Sequence, residues 1–327
     1  MRQAQQTHRR SRPLTLILIA AIAGSITAAC STASGASAIQ AGKGGHRVIQ
    51  VVAAENFWGS IASQIGGRHV QVTSIITNPN TDPHSYEPTV ADAKLIASAR
   101  LVIENGVGYD PWAASLLAAE GATGTGGSQT SSTQTILNVG TVVGVSDGAN
   151  PHRWYNPADV QEVIGQIVAD YSKIDPADRA YFAQRQTWFN TVALRQYHAL
   201  ITAIHHKYDG TPVGASESIF AMLAPALGLR LITPYSFLKA ISEGTDVSAA
   251  DKLTIDRQID HHLIKIYVYN SQNVTPDVQS QLALAKAARI PVATITETLA
   301  PPTDTYQAWQ VRQLRGIEAA LTMATGH

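Results

Sequence analysis

From His46 to the C-terminus the chain alternates short β-branched runs with helical stretches, and one long helical pattern interrupts the alternation midway. No other feature restricts the fold as much. Apolar strands alternating with helices imply parallel or mostly parallel sheets covered by helices. The first half reads as strands Val48–Ala53, Val70–Thr77, Leu101–Glu104 and Ile136–Val139, with helices near Trp58–Ile65, Thr89–Ala99, Tyr109–Ala119 and Asp159–Tyr171. A weak strand is expected near Val143–Val145. Residues 121–135 are rich in Gly, Ser and Thr and predict a mobile surface loop. The second half reads as strands Pro212–Ala215, Leu229–Ile232, Ile264–Tyr269 and Pro291–Ile295, with helices Ile219–Leu227, Ala249–His262, Pro276–Ala288 and Asp304–Met323.

The long pattern runs from about Pro176 to Lys207. Tyr181, Phe182, Trp188, Phe189, Val192, Tyr197, Leu200, Ile201 and Ile204 recur at spacings of three and four that fit one helical face. Pro176 suits a first helical position, Asp175 can cap it, and Asp209-Gly210 ends the run. The sequence thus predicts an α/β fold of two Rossmann-like lobes with mostly parallel sheets, joined by one long linking helix. The expected divisions are 46–174 for the N-terminal lobe, 175–208 for the linking helix and 209–327 for the C-terminal lobe. A ligand site in such a fold lies between the lobes, at the carboxyl ends of strands. A single long link predicts limited hinge motion.

The N-terminus reads as an export signal. Residues 1–12 carry Arg2, Arg9, Arg10 and Arg12 and no acid, followed by an apolar run from Leu14 to about Ala23 and small residues up to Ala28-Ala29-Cys30. Gly24, Ser25 and Thr27 interrupt the apolar stretch, which falls short of the roughly 20 residues a membrane span needs. Residues 1–29 are expected to be a signal peptide and 30–45 a flexible tether. Cys30 is the sole cysteine, which excludes an intramolecular disulfide and a cysteine-rich zinc module. Its place at the cleavage site resembles a bacterial lipobox, with Thr27 where Leu is usual. Acylation of Cys30 would anchor an exported domain to the outer face of the cytoplasmic membrane, or the protein would be periplasmic.

Lys+Arg and Asp+Glu both total 24, so no net charge attracts nucleic acid. The chemistry lies instead in the loops at the strand ends. After Val70–Thr77 comes the proline-studded loop Asn78-Pro79-Asn80-Thr81-Asp82-Pro83-His84-Ser85-Tyr86-Glu87-Pro88. A second loop of the same kind is Asn150-Pro151-His152-Arg153-Trp154-Tyr155-Asn156-Pro157. Strand Pro212–Ala215 runs into Ser216-Glu217-Ser218, and Pro291–Ile295 into Thr296-Glu297-Thr298. Taken singly, each reads as an ordinary loop histidine or a solvated carboxylate. Two imidazoles and two carboxylates at parallel positions, two per lobe, can make a closed site for a first-row divalent ion. Asp82 and Glu87 flank His84 and are candidates to orient it.

The two histidine segments, together with Gly214-Ala215-Ser216-Glu217-Ser218-Ile219-Phe220 and Val292-Ala293-Thr294-Ile295-Thr296-Glu297-Thr298-Leu299, resemble the cluster A-I solute-binding proteins of zinc and manganese ABC importers. The likeness covers nearly all of residues 46–327. It implies the ligands His84, His152, Glu217 and Glu297, no enzymatic activity, and a monomer that passes its ion to an ABC permease with a separate ATPase. Two departures stand out. Glu297 occupies a position usually held by Asp, and the His-rich acidic loop of many zinc-specific members is absent, since residues 121–135 contain no His, Asp or Glu. Zinc is the preferred cargo by the Irving–Williams order, with manganese or iron as alternatives because bidentate carboxylates can raise the coordination number. Affinity should fall below about pH 6.5, the reference value for histidine. A surface metal-dependent hydrolase and a metal-stabilised adhesin are the other classes. The G-x-S-x-S of Gly214–Ser218 lacks the final Gly of a nucleophile elbow, and H-E-x-x-H, G-x-G-x-x-G and P-loop signatures are missing. The adjacent pairs His205-His206 and His261-His262 make poor chelates on a helix and are expected at its surface or ends.

Overall fold

A computed structural model describes residues 48–119, 128–130 and 134–326. The expected signal peptide, Cys30 and the tether lie outside the described residues. Among those described, no helix is long and apolar enough to cross a membrane.

The N-terminal sheet comprises β1 (Ile49–Glu55), β2 (Val70–Ile76), β3 (Leu101–Glu104), β4 (Ser128–Thr130) and β5 (Thr135–Asn138), in the order β2-β1-β3-β5-β4. β1, β2, β3 and β5 are parallel; β4 runs antiparallel to β5. The second sheet holds β6 (Pro212–Ala215), β7 (Arg230–Leu231), β8 (Tyr267–Asn270) and β9 (Val292–Ile295) in the order β7-β6-β8-β9, all parallel. Within β1 only Gln50 is exposed, as a central parallel strand covered on both faces requires. Helices α1 (Asn56–Gly66), α2 (Val90–Ser98), α3 (Pro111–Ala119), α4 (Val139–Val142) and α5 (Pro157–Ile174) follow the first set of strands.

Each sheet reverses its strand order once. The chain leaves β1 for β2 on one side and then for β3 on the other, and it does the same from β6 to β7 and β8. The carboxyl ends at these reversals open a crevice, because successive connections diverge there. Glu217 lies two residues beyond β6 and Asn270 is the last residue of β8, so both stand at the second reversal.

Three expectations change. Val143–Val145 forms no strand; α4 and a turn occupy that stretch, with Asn138 capping the helix through Thr141 N. Part of the expected loop 121–135 is β4, paired with β5; residues 121–127 and 131–133 lie outside the described residues. The linking segment is a 3₁₀ turn (Pro176–Asp178), α6 (Arg179–Trp188), a π-helical turn (Phe189–Ala193) and α7 (Arg195–Tyr208). The reason is in the spacing. Phe182 and Phe189 are seven apart, Tyr197 follows after eight, and Ile204 after seven more; all four are buried. The π turn takes up the extra residue and keeps them on one side. Trp188 and Val192, assigned to the same stripe, are rotated out and exposed.

The remaining helices are α8 (Ile219–Leu223), α9 (Tyr235–Ser242), α10 (Ala249–Asp260), α11 (Pro276–Ala287) and α12 (Tyr306–Thr325). One apolar core runs from Ile49 in β1 through the linking segment to Leu321 in α12. The lobes are also tied by hydrogen bonds: Tyr155 Oη donates to Thr296 O at 2.7 Å, Tyr306 Oη to Trp154 O at 2.7 Å, and Leu299 N to Asn56 Oδ1 at 3.1 Å. Trp154 is fully buried and stacks on Phe57, ring centroids 3.9 Å apart. Trp154→Ala should cost about 3–5 kcal/mol of stability through the cavity it leaves. Urea unfolding of the metal-free protein measures this, and a loss under about 1 kcal/mol would show that the aromatic layer is dispensable.

Candidate metal centre

His84 sits in a 3₁₀ turn (Pro83–Ser85) beyond β2. Asp82 fixes that turn: Oδ1 accepts from His84 N at 2.9 Å and Oδ2 from Ser85 Oγ at 2.8 Å. It thus orients the backbone of His84 rather than its ring. Glu87 is exposed. His152 precedes another 3₁₀ turn (Arg153–Tyr155), which an Arg153–Asp159 ion pair fastens to the first turn of α5. Glu217 and Glu297 each lie two residues past a strand, and both are buried.

Three of the four sequence-derived residues come together. Single donor atoms of His152, Glu217 and Glu297 all lie within 4.8 Å of one another. His152 Nε2 faces Glu217 Oε1 at 3.9 Å. Two donors on one tetrahedral zinc ion, each about 2.0–2.1 Å from it, would be roughly 3.4 Å apart, so the spacing is on the right scale. His84 stands beside this group, its ring centroid 6.4 Å from that of His152 and outside the 4.8 Å set. His84 Nε2, His152 Nε2 and Glu217 Oε1 are all buried without a hydrogen-bond partner. Three orphaned polar atoms in one place are costly unless something binds them. The extra methylene of Glu297 does not carry its carboxylate past the group. Two cavities of about 350 and 180 Å³ adjoin the centre, and His84 lines both.

Burial shifts the titration of these groups. Desolvation raises the Glu297 carboxyl well above the usual carboxylate range, and the neighbouring Glu217 raises it further. Glu217 is raised as well, first by burial. Desolvation, aided by His84, holds the His152 imidazole well below its ordinary range, so it is neutral at pH 7 with a lone pair to give. Asn150 selects the tautomer. Its Nδ2 donates to Ser218 O at 2.7 Å, which turns Oδ1 toward His152 Nδ1 at 2.8 Å. The proton therefore rests on Nδ1 and Nε2 faces the carboxylates. Asn150→Ala should weaken metal binding about 10–100-fold with the fold intact; a competition titration that found no change would refute this orienting role.

Sequence reasoning missed Asn270 and Tyr109. Asn270 Nδ2 donates to Glu217 Oε2 and to Glu297 Oε1, both at 2.8 Å. Tyr109 Oη donates to Glu297 Oε2 at 3.2 Å. Tyr109 is delivered by Gly106-Val107-Gly108, three consecutive residues at positive φ. Val107 at φ 56° is a β-branched residue in the left-handed region, which costs of order 1–3 kcal/mol. Asn270 ends β8, so the strand-end rule that pointed to Glu217 and Glu297 also covers it; Tyr109 comes after the turn that follows β3 and carries no such signal.

One other trio, His69, Asp175 and Asp178, has donor atoms within 4.8 Å among the described residues. There His69 Nδ1 pairs with Asp178 Oδ2 at 2.5 Å and Asp175 caps Ala177 N, which ties the start of β2 to the start of the linking segment. His205, His206, His261 and His262 are exposed, the last pair just past the end of α10.

Residues 51–320 match the family described as ZnuA, zinc-uptake complex component A, periplasmic. The chain belongs to this family. The family is one of binding components of an uptake complex, not of enzymes. Among curated relatives, a putative metal-binding protein of Treponema pallidum is 24% identical over 208 residues, 58% of this chain and 63% of that protein, so the match spans less than two thirds of that relative. The manganese-binding lipoprotein MntA of Halalkalibacterium halodurans is 24% identical over 223 residues, 65% of this chain and 68% of that one. A manganese-bound variant of a periplasmic metal-binding protein from Candidatus Liberibacter asiaticus superimposes with a TM-score of 0.68 at 20% identity, covering 84% of this chain and 99% of that one. At that identity the match speaks for the two-lobed α/β fold.

Proposed function

We propose that this protein captures a divalent transition-metal ion outside the cytoplasm, zinc ahead of manganese or iron, and delivers it to an ABC permease powered by a separate ATPase. One observation carries the reading: three buried donor atoms, His84 Nε2, His152 Nε2 and Glu217 Oε1, have no partner and adjoin the Glu297 carboxylate. Two neutral nitrogens and two carboxylates balance a dication and leave no charge buried uncompensated. Zinc forms the tighter complex with such a donor set by the Irving–Williams order. The hydroxyls of the Gly214–Ser218 segment, which a serine-nucleophile hydrolase would need, lie in contacts of their own. Ser216 Oγ accepts from Asn270 N at 3.1 Å, and Ser218 Oγ bonds Ser242 Oγ at 2.6 Å. Residues 1–29 act as the signal, Cys30 as the acylated anchor and 30–45 as the tether of a monomer whose lobes, 46–174 and 209–327, flank the link 175–208. Cys30→Ser should release the protein from membranes into the soluble fraction; retention of the variant on the membrane would remove Cys30 as the anchor.

The test is a competitive titration of metal-stripped protein beside His84→Ala and Glu297→Ala. One Zn²⁺ should bind per chain, resist excess Mn²⁺ and be weakened in both variants. Binding no tighter than about 1 µM, or indifferent to both substitutions, overturns the assignment.

A further inference from the structure

Both acidic groups of the centre lean on one amide. Asn270 is fully buried at the end of β8. Its Oδ1 accepts from Gln272 N at 3.0 Å, and its backbone N donates to Ser216 Oγ at 3.1 Å. With Oδ1 committed to a backbone donor, Nδ2 can face only the carboxylates, so the amide orientation is settled by its partners. The two hydrogens of Nδ2 go one to Glu217 Oε2 and one to Glu297 Oε1, each at 2.8 Å. Glu217 therefore keeps a single uncommitted oxygen, Oε1, and that is the atom facing His152 Nε2. Both Glu297 oxygens already accept a hydrogen bond, Oε1 from Asn270 and Oε2 from Tyr109 Oη, so each has one lone pair left for an ion.

We propose that Asn270 is a specificity-determining residue, which holds one oxygen of each acidic ligand and so biases both carboxylates toward binding the ion through a single oxygen. The proposal rests on the capture reading above and adds to it the origin of the metal preference. With two imidazoles and two one-oxygen carboxylates the site supplies four donors, which suits zinc. Manganese favours six oxygen-rich positions, which the same side chains could approach only by chelating through both oxygens. The neutral amide adds no charge, so it changes how the carboxylates are presented and leaves their number alone. Removing it should release both oxygens and favour the ion with the higher coordination number.

The experiment compares wild-type and Asn270→Ala full-length protein, stripped of metal, in competitive titrations with Zn²⁺ and Mn²⁺. Co²⁺ serves as a spectroscopic probe of coordination number. The variant should lose about 10–100-fold in zinc affinity and much less for manganese, so the zinc-to-manganese ratio narrows by about tenfold or more. The intense visible bands of four-coordinate Co²⁺ in the wild type should give way to the weak bands of five or six ligands. Parallel losses for both metals with an unchanged cobalt spectrum would leave Asn270 a structural residue and overturn the inference. Should the variant fail to fold, the wild-type spectrum decides alone: four-coordinate bands support the inference, and five- or six-coordinate bands overturn it. A wild-type protein that takes up none of the three ions defeats the capture reading itself, a result distinct from either.

Discussion

Replacing Glu297 with Gln should lower zinc affinity by more than about 100-fold, beyond what residues behind the ligands usually cost, and at the same time make the metal-free protein more stable. The two effects share a cause. Glu217 and Glu297 are buried side by side; burial raises both carboxyls, and Glu217 raises that of Glu297 further. Gln keeps the size of Glu and can still satisfy its neighbours. Its Oε1 can accept from Asn270 Nδ2, while the Tyr109 hydroxyl can rotate to accept from its Nε2. The substitution thus removes one of two crowded carboxylates without opening a cavity. A gain of about 0.5–2 kcal/mol is the usual size when a functional site is relieved of such conflict. For a domain of this size each kcal/mol raises the melting temperature by about 2–4 °C. Calorimetry in excess chelator and a zinc competition titration read the two effects. If affinity is unchanged, Glu297 is not a ligand. If affinity and melting temperature fall together, the carboxylate serves the fold first.

Most of the fold was legible because it rests on local pattern. β3 and β6 begin and end where their apolar runs do, and α11 starts at the Pro276 that suits a first helical turn. The failures have physical reasons. Val143-Gly144-Val145 carries two β-branched residues, yet Asn138 caps a helical turn immediately before it and Gly144 sits at positive φ. Tyr235–Ser242 is a helix that short spacing from β7 concealed. The π turn in the link could be read only by noticing that one of three spacings is eight rather than seven. At the centre, the four proposed ligands stood out as His and Glu at strand ends. Asn270 and Tyr109 did not, because an amide and a phenol have many ordinary uses. What sets them apart is which oxygen they touch, and that is fixed by the meeting of β8 and the Gly106–Gly108 loop with Glu217 and Glu297.

Zinc affinity should fall by about tenfold per pH unit for every proton the ion displaces, and the displaced protons should come from the carboxylates. The sequence alone suggests histidine, with a break near pH 6.5. The structure points elsewhere. His152 is held well below its ordinary range by burial, so it stays neutral as the solution turns mildly acidic. Glu297 and Glu217 are raised, so the metal-free site retains a proton where an ordinary Glu has lost it. Binding must expel that proton, hence affinity climbs with pH until the raised carboxyls are ionised and declines below that point. The stability of the metal-free chain must run the other way. In the window above the unfolded carboxyl value, about 4.3, the native state binds more protons than the unfolded one, so stability is lost as pH rises through the folded value. His152 opposes this below about 6.5, where the unfolded imidazole takes a proton that the buried one refuses. The metal-free protein should therefore melt highest at mildly acidic pH, and saturating zinc should lift it most toward neutral and alkaline pH. Titration calorimetry in buffers of different ionisation enthalpy counts the released protons directly. Release at pH 7 that is diminished in Glu297→Gln upholds the carboxylate origin. No release, or release unaltered by that substitution, would return the pH dependence to the histidines and break the link between the crowding of the two acids and the hold on the ion.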